Sequence, residues 1–253
     1  MTSFTVIIPA RYGSTRLPGK PLLPLAGRPV IAHVWQRAID SGADRVIVAT
    51  DDSRIADAVK PLGGQVCLTR GDHPSGTDRL AEVVAREGMD ADTIIVNLQG
   101  DEPLMPPALL AQVADALAKE PRAAMATLCA PITDTDSLHD PHTVKVLRDH
   151  RGRALYFSRA PIPWDREGKT GLQLAAARRH LGIYAYRSGF LARYVGIPAS
   201  PLEQLEQLEQ LRALEAGEWI QVVDAITTPG PGIDTAADLL AAEKQLNHSS
   251  SEG

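Results

Sequence analysis

The stretch Phe4-Thr5-Val6-Ile7-Ile8-Pro9-Ala10-Arg11-Tyr12-Gly13-Ser14-Thr15-Arg16-Leu17-Pro18-Gly19-Lys20 joins an apolar, β-branched run to a basic loop that contains glycine. The apolar run at residues 4–8 predicts a buried strand that ends at the following proline. The cations Arg11, Arg16 and Lys20 then indicate a polyphosphate site, because open α/β sheets bind ligands at the carboxyl ends of their strands. A basic surface loop without function is the alternative interpretation.

This loop does not match the common phosphate-binding motifs. A Walker A sequence requires Ser or Thr after its lysine, whereas Pro21 follows Lys20. The loop also lacks the spacing Gly-x-Gly-x-x-Gly. The sequence therefore predicts an anion site of another kind.

Strand and helix patterns alternate along the first half of the chain, which predicts an α/β fold. Strand patterns cover 45–50, 65–68, 93–97 and 123–129, and helical patterns cover 29–40, 53–62, 76–87 and 107–118. This order favours a mostly parallel, Rossmann-like central sheet flanked by helices.

The second half has longer connections, which predict a small mixed lobe within about 130–220 of a single domain that spans 1–246. Its strand patterns lie at 144–148, 154–158, 181–186 and 220–223, and residues 165–173 read as an exposed excursion. The segment 247–253, rich in serine, is predicted to be disordered.

A helix is predicted to begin at Ser200-Pro201-Leu202-Glu203, with Ser200 and Glu203 forming a capping box. Leucine recurs every third residue from Leu202 to Leu214, so these side chains wind around a helix with 3.6 residues per turn. Such a helix needs cover on more than one side. This cover could come from a second subunit or from ordinary packing within the chain, and the sequence does not decide between the two.

Composition limits the classes of function. The 253 residues carry a net charge of −5, which argues against general binding to nucleic acid or to anionic membranes. No apolar run reaches the ~20 residues of a membrane-spanning helix, and no secretory signal precedes the first strand. Cys67 and Cys129 lie far apart in apolar segments, which favours reduced, buried thiols and a cytoplasmic location.

Two carboxylates are candidates for a metal site. Asp101 directly follows a buried strand, where it is a suitable Mg²⁺ ligand, and Glu102 is expected to face away. A turn in which Asp101 caps the next helix is the alternative. Asp234 follows the loop Pro229-Gly230-Pro231-Gly232, and it either caps a helix near Thr235 or brings a second carboxylate to the same cation.

Two further segments carry polar groups suited to a nucleotide or an acid. In Thr69-Arg70-Gly71-Asp72-His73-Pro74-Ser75-Gly76-Thr77-Asp78-Arg79, a strand leads through a glycine-containing loop into a helix, and we expect His73 to be structural. Arg159 suits a carboxylate, and His180 and Tyr184 offer partners for hydroxyl groups. Spacing alone does not assign these three side chains to a site.

Together the motifs resemble the 3-deoxy-manno-octulosonate (Kdo) cytidylyltransferase family over nearly the whole chain. The resemblance rests on Ile-Pro-Ala-Arg-Tyr-Gly-Ser-Thr-Arg-Leu-Pro-Gly-Lys-Pro-Leu, Arg-Gly-Asp-His-Pro-Ser-Gly-Thr-Asp-Arg, Asn-Leu-Gln-Gly-Asp-Glu-Pro, Leu-Tyr-Phe-Ser-Arg-Ala-Pro-Ile-Pro and Arg-His-Leu-Gly-Ile-Tyr-Ala-Tyr-Arg. It implies a homodimer with a nucleotidyltransferase fold and a mixed dimerisation lobe. It also implies a Mg²⁺-dependent reaction of CTP with Kdo that gives CMP-Kdo and pyrophosphate for lipopolysaccharide synthesis.

The resemblance also implies roles for individual residues. The catalytic group would comprise Arg11, Lys20, Asp101 and Asp234, of which Asp101 and Asp234 would ligate Mg²⁺. CTP would be held by Arg11, Ser14, Arg16, Lys20, Thr69, Arg70, Ser75 and Gly76. Kdo would be held by Gln99, Arg159, His180, Tyr184, Glu209 and Gln210. Gln204 and Gln207 depart from the family pattern, which leaves the dimer packing or the sugar pocket open to small differences.

Other functions stay open at this point. The same chemistry would serve a cytidylyltransferase for 8-amino-Kdo or a sialic acid. A catalytically silent nucleotide-binding protein is a second alternative, although both carboxylates are present. A glycosyltransferase is disfavoured because the strand end at residue 97 lacks an Asp-x-Asp signature.

Overall fold

A computed structural model describes residues 2–13, 17–168 and 170–251 of the chain. Within this part, nine strands form one twisted sheet, and two short strands form a separate hairpin. The strands are β1 (Thr5–Ala10), β2 (Pro24–Leu25), β3 (Arg28–Pro29), β4 (Arg45–Thr50), β5 (Gln65–Leu68), β6 (Ile94–Asn97), β7 (Met125–Pro131), β8 (Lys145–Arg148), β9 (Ala154–Ser158), β10 (Arg178–Arg187) and β11 (Ile220–Asp224).

The described helices lie between these strands and after the last one. They are α1 (Val30–Asp40), α2 (Ser53–Val59), α3 (Gly76–Glu87), α4 (Pro107–Lys119), α5 (Thr135–His139), α6 (Thr170–Ala176), α7 (Ser188–Tyr194), α8 (Pro201–Glu206), α9 (Gln210–Glu215) and α10 (Ala236–Ser251). Single 3-10 turns at Lys20–Leu22 and Lys60–Leu62 complete the set in the described ranges.

The sheet has the order β11-β7-β10-β6-β1-β4-β5, with β8 beside β10 and β9 beside β8. Strands β5, β4, β1 and β6 are parallel, whereas β10 runs antiparallel to β6 and β7. The predicted α/β architecture, a mostly parallel sheet flanked by helices, is therefore confirmed. The antiparallel β10 carries the change to mixed pairing that the second half of the sequence predicted.

Strand β1 lies in the middle of the sheet because both of its faces are apolar. Val6 and Ile8 contribute to the core on one side, and Ile7 packs with Ile47 on the other. All four side chains are completely buried. This alternation follows from the two-residue repeat of a strand, and burial on both faces is typical of parallel sheets.

The first strand is longer than predicted. It continues through Pro9 to Ala10, and Pro9 pairs with Ala49 of β4. The Pro9 carbonyl accepts a hydrogen bond from the amide of Gly100 at 3.3 Å. Proline has no N–H to donate, but its carbonyl can still take part in strand pairing. A Cβ at Gly100 would lie 2.8 Å from that carbonyl oxygen, so only glycine allows this close approach.

The leucine-rich helix predicted from Ser200 is wrong in its length. The capping box between Ser200 and Glu203 is present, but Gln207 adopts a left-handed conformation with φ 53° and separates α8 from α9. Leu208 and Leu211 are consequently buried, while Leu205 remains 81% exposed. Because of this break, α9 packs in its own direction, and the leucines of the three-residue repeat do not all lie on one continuous helix.

The chain beyond residue 246 continues as part of α10 as far as Ser251, within the segment for which the sequence predicts disorder. Residues 252 and 253 lie outside the described part. Helix α6 occupies the end of the excursion predicted at 165–173, where Trp164 and Leu172 are largely exposed. In the parts of the chain that the structure covers, no helix combines the length and apolar character needed to cross a membrane.

Candidate functional site

Lys20 lies at the centre of the charged site. Its ammonium group donates to Asp101 Oδ2 at 2.7 Å, to the carbonyl of Ile233 at 2.6 Å and to Asp234 Oδ1 at 3.2 Å. The residue is only 8% exposed. Three segments far apart in sequence, namely the end of β1, the end of β6 and the loop before α10, therefore meet at one ammonium group.

Glycine allows the loop to turn Lys20 into the site. Gly19 has φ 69°, a left-handed conformation that favours glycine, and it precedes the 3-10 turn that begins at Lys20. A Cβ at Gly19 would lie 3.2 Å from the ring of Tyr12. Ser14 and Arg16, which the resemblance assigns to CTP, lie outside the described residues.

Asp234 does not cap the last helix, although that was one of its two predicted roles. The amide of Asp238 donates to Thr235 Oγ1 at 3.3 Å, and Asp238 Oδ2 accepts the amide of Thr235 at 2.8 Å. Each of these two side chains thus accepts the backbone N–H of the other residue, which is the reciprocal pattern of a capping box at the start of the helix. Asp234 Oδ1 is left to face Lys20.

Asp101 also does not cap the following helix, since α4 begins after Pro106 and the capping residue makes no side-chain hydrogen bond. The adjacent Glu102 has a very different environment. Burial, and then the charge of Asp101, raises the pKa of Glu102 to about 8. Glu102 is therefore neutral near pH 7, and the carboxyl group that faces Lys20 at this strand end is that of Asp101.

A cleft of about 330 Å³ opens beside this charged cluster. Predicted residues at its wall are Arg11, Lys20, Ser75, Gly76, Gln99, Asp101, Glu209 and Asp234. Thr69 and Arg70, which were expected to contact CTP, are not at the wall in this structure. Thr69 is buried beneath it, and the guanidinium of Arg70 is 3.3 Å from Asp72 in solvent.

Arg79 is a cleft residue that the sequence reasoning missed. Its side chain is 4% exposed, donates to Thr69 Oγ1 and lies 3.5 Å from Asp51 Oδ2. It sits on the buried face of α3, beside Leu80 and Val83. A cation on the apolar face of an amphipathic helix was the signal that could have identified it.

His73, which was expected to be structural, also lies at the wall of the cleft. Its Nε2 makes a short hydrogen bond with Glu82 Oε2. Glu82 accepts the backbone amide of Arg70 at 3.0 Å as well and pairs with Arg86 at 2.6 Å. Glu82 thereby holds the loop between β5 and α3 at two positions, Arg70 and His73.

Glu82 is expected to stabilise the folded protein in a pH-dependent way. Burial by itself would raise its pKa, but the hydrogen bonds from His73, Arg70 and Arg86 outweigh it and lower the pKa to about 2. The folded pKa is below the usual 4.5, so this stabilisation is complete above about pH 4.5 and is lost as the pH falls toward 2. We expect Glu82→Gln to lower the free energy of unfolding by about 1–3 kcal/mol at pH 7 and by much less at pH 3.

Urea denaturation of the wild type and Glu82→Gln at both pH values measures this difference. The exposed Glu215 provides the control substitution Glu215→Gln, which should change the free energy of unfolding little at either pH. An effect of Glu82→Gln that does not depend on pH would contradict the assignment.

A second cavity, of about 190 Å³, adjoins the first. Gln99 and Glu209 line both cavities, so the two spaces meet at these side chains. Tyr184 and Gln210, which were expected at the sugar site, also line the second cavity. Its other walls include Thr77, Asn97, Tyr186 and Tyr194, which sequence reasoning did not assign.

Arg159 and His180 are not among the lining residues of either cavity. The guanidinium of Arg159 donates to the carbonyls of Glu206 at 2.7 Å and Pro141 at 2.9 Å. Desolvation lowers the pKa of His180 to about 3, so its ring is neutral, and Nε2 lies 2.9 Å from the hydroxyl of Thr127. The His180 ring contacts that of Tyr184, with centroids 5.3 Å apart, and thereby supports the cavity wall from behind.

Glu209 connects the two cavities chemically as well as spatially. Its carboxylate accepts a hydrogen bond from Thr77 Oγ1 at 2.9 Å. Desolvation by the surrounding protein raises the pKa of Glu209, and the hydroxyls of Thr77 and Ser75 lower it again in part. An acceptor between a cationic cleft and a polar cavity can orient a ligand that enters both.

A charged cleft at the carboxyl ends of parallel strands, with a lysine between two carboxylates, defines a nucleotide-binding α/β protein. The chain belongs to the cytidylyltransferase family, whose model matches residues 5–220. The resemblance that the sequence motifs indicate is thus confirmed.

Individual relatives agree with this membership. The 3-deoxy-manno-octulosonate cytidylyltransferase of Chromohalobacter salexigens is 60% identical over 97% of this chain and 97% of that protein. The enzyme of the same name from Halorhodospira halophila is 57% identical over 96% and 97%. A solved structure of CMP:2-keto-3-deoxy-manno-octonic acid synthetase complexed with CTP matches with a TM-score of 0.90 and 44% identity, over 98% of this chain and 100% of that chain.

Proposed function

We propose that this protein transfers CMP from CTP to the anomeric hydroxyl of Kdo, forming CMP-Kdo and pyrophosphate. The observation that carries the proposal is the pair of adjoining cavities that share Gln99 and Glu209. One cavity contains the cations and carboxylates suited to a nucleoside triphosphate. The described residues that line the other include amides, hydroxyls and one acid but no lysine or arginine, which suits a sugar. The names of the relatives at 57–60% identity support Kdo as that sugar.

The reaction requires an in-line displacement at phosphorus. The hydroxyl at C2 of the sugar loses its proton to solvent as its oxygen forms a bond to the α-phosphorus of CTP, and the bond from that phosphorus to the bridging oxygen of pyrophosphate breaks. Negative charge increases on the phosphoryl oxygens and on the leaving group, so fixed positive charge supplies much of the stabilisation. Arg11 and Lys20 are the described cleft residues placed to provide it, with Arg79 below them.

The donor set fits Mg²⁺, which the family resemblance implies. Oxygens of Asp101 and Asp234 both lie within 3.2 Å of the same Lys20 nitrogen, so one compact cation reaches both carboxylates. Mg²⁺ uses one or two carboxylates together with phosphate and water, and this pair of carboxylates meets that requirement. When bound, the ion would neutralise charge on the phosphates.

A direct test is pyrophosphate release from CTP with a panel of acid sugars. We expect release with Kdo, and weaker or no release with N-acetylneuraminate. The panel includes 8-amino-Kdo, which the same phosphate chemistry could serve. Absence of release with Kdo and with its amino analogue would overturn the proposed function.

We also propose that the protein acts as a homodimer through part of the mixed lobe predicted within about 130–220, namely the surface at residues 163–167, 172 and 173. Trp164 is 81% exposed and Leu172 is 70% exposed, and both line a surface hollow of about 350 Å³. Large apolar side chains exposed together are typical of a protein interface. Gln173 Nε2 donates to the carbonyl of Pro163 at 2.8 Å and holds the hollow in shape.

We expect the wild type to have twice the 27.2 kDa mass of one chain in light scattering at micromolar concentration. Trp164→Asp combined with Leu172→Asp should shift it to the single-chain mass, because carboxylates at an apolar interface lose their hydration. Ile226→Asp, at another residue that is 68% exposed, is the matched control. A wild type of single-chain mass would contradict the proposed dimer.

A cytoplasmic location is proposed from the chemistry of the chain. Cys67 and Cys129 are both buried free thiols, which are typical of proteins in a reducing compartment. Burial raises the pKa of Cys129 to about 12, so this thiol is also unreactive. The proposed substrate CTP is a cytoplasmic metabolite, in agreement with this location.

A further inference from the structure

Asn97 is a buried polar residue that the reaction described above does not use. It is the last residue of β6 and is 3% exposed. Its amide interacts with the phenol of Tyr186. Its Oδ1 accepts no hydrogen bond from the described residues, although Asn97 lines the second cavity.

Gln210 has the complementary property on the opposite wall. It is the first residue of α9, is 6% exposed and lines the same cavity. Its Nε2 has no acceptor in the part of the chain that the structure describes. The wall of the cavity therefore contains one buried acceptor and one buried donor that have no partner among the described residues.

An unsatisfied buried polar atom is costly, and a native protein retains one where a ligand can satisfy it. A hydroxyl group both donates and accepts, so it can satisfy Asn97 as well as Gln210. This conclusion does not depend on which way either amide is turned, because a hydroxyl can pair with the oxygen or the nitrogen.

The charge of the cavity excludes the carboxylate end of an acid sugar. Its lining residues, all within the described ranges, include no lysine or arginine, and they include the acid Glu209. The rings of Tyr184, Tyr186 and Tyr194 supply flat apolar surface that suits the C–H faces of a sugar. An uncharged polyol fits this environment, whereas a carboxylate would meet an acid and no cation.

We propose that Asn97 is a specificity-determining residue whose amide pairs with a hydroxyl in the uncharged part of the acid sugar. This inference rests on the proposed function, because it places that same substrate in the second cavity. Gln210 pairs with a hydroxyl from the opposite wall. The sugar carboxylate then lies at the junction with the first cavity, toward its cations.

The test combines Asn97→Leu with a series of Kdo analogues that each lack one hydroxyl. Leucine has the same branched side-chain skeleton as asparagine and lacks its hydrogen-bonding groups. We expect kcat/KM of the wild type to fall about 10- to 100-fold for one analogue, because a buried amide is then left unpaired. Asn97→Leu should lower kcat/KM for Kdo by a similar factor and should no longer distinguish that analogue from Kdo.

The controls separate recognition from folding. Calorimetric affinity for CTP should remain within about twofold in Asn97→Leu, since the first cavity is unchanged. Gln65→Leu removes an exposed amide of the edge strand β5, away from both cavities, and should leave the preference among analogues intact. If Asn97→Leu does not fold, Asn97→Ala takes its place with the same readouts.

The outcomes distinguish this inference from the proposed function. An Asn97 variant that binds CTP and discriminates among analogues as the wild type does would overturn the inference alone. A wild type that treats every analogue like Kdo would do the same. A wild type that releases no pyrophosphate with Kdo would overturn the proposed function and the inference with it.

Discussion

Asp101→Asn is expected to lower kcat about a thousandfold while the fold survives. The carboxylate is one of two that converge on the Lys20 nitrogen, and we propose that it ligates Mg²⁺ with Asp234. Loss of one anionic ligand removes several kcal/mol of charge stabilisation in such a site, and about 1.4 kcal/mol corresponds to a tenfold rate change. The fold should persist because Lys20 keeps Asp234 and the Ile233 carbonyl as partners.

Steady-state pyrophosphate release over a range of Mg²⁺ concentrations measures this effect, and a melting temperature within a few degrees of the wild type checks the fold. Asp57→Asn is the matched control, because the side chain of Asp57 is 69% exposed and its ion pair within the described part of the chain is with the exposed Lys60. Near-normal turnover of Asp101→Asn at saturating Mg²⁺ would refute the metal role. Asp234→Asn should behave in the same way.

Lys20→Met is expected to lower kcat about 100- to 1000-fold and to weaken CTP binding. Removal of one preorganised charge-stabilising donor costs about this factor in enzymes that form anionic transition states. Methionine keeps the apolar part of the side chain, so the buried stem remains packed. Asp101 and Asp234 lose the cation between them, and their mutual repulsion increases.

The same pyrophosphate assay, with calorimetric titration of CTP, measures both consequences. Lys20→Arg should not restore activity, because a planar guanidinium cannot occupy the small space of an ammonium between three oxygens. Lys119→Met, at an exposed lysine near the end of α4, is the control and should retain normal kinetics. If Lys20→Met retained more than a tenth of wild-type kcat, the central role of this lysine would be wrong.

Local patterns predicted most of the elements in the first half because their signals depend on neighbours in sequence. The boundaries of β5 and α3 agree with the predictions residue for residue. The capping box at Ser200 was also readable, since both of its partners lie within four residues. The β1 boundary was wrong because a proline can stay in a strand when its carbonyl has a partner in the adjacent chain segment.

Some site residues could be identified from local motifs, and others could be identified only from the tertiary structure. The motifs identified Lys20, Asp101 and Asp234, and the structure brings them together. Arg79 and Asn97 were not assigned to the site because each lies on a buried side of its element, where only the tertiary structure reveals a cavity. Arg159 was assigned to the sugar from its chemistry and from the family resemblance, and in this structure its guanidinium donates to backbone carbonyls.

The sequence by itself determined the α/β alternation, the basic loop after the first strand and the two acids that follow a strand and a glycine-rich loop. Tertiary structure decided how these groups are used. Lys20, Asp101 and Asp234 span more than 200 residues of chain, and no local propensity encodes their distances. Packing of β1 against β6, with only glycine tolerated at Gly100, brings the strand ends together, and the break at Gln207 frees α9 to close the second cavity.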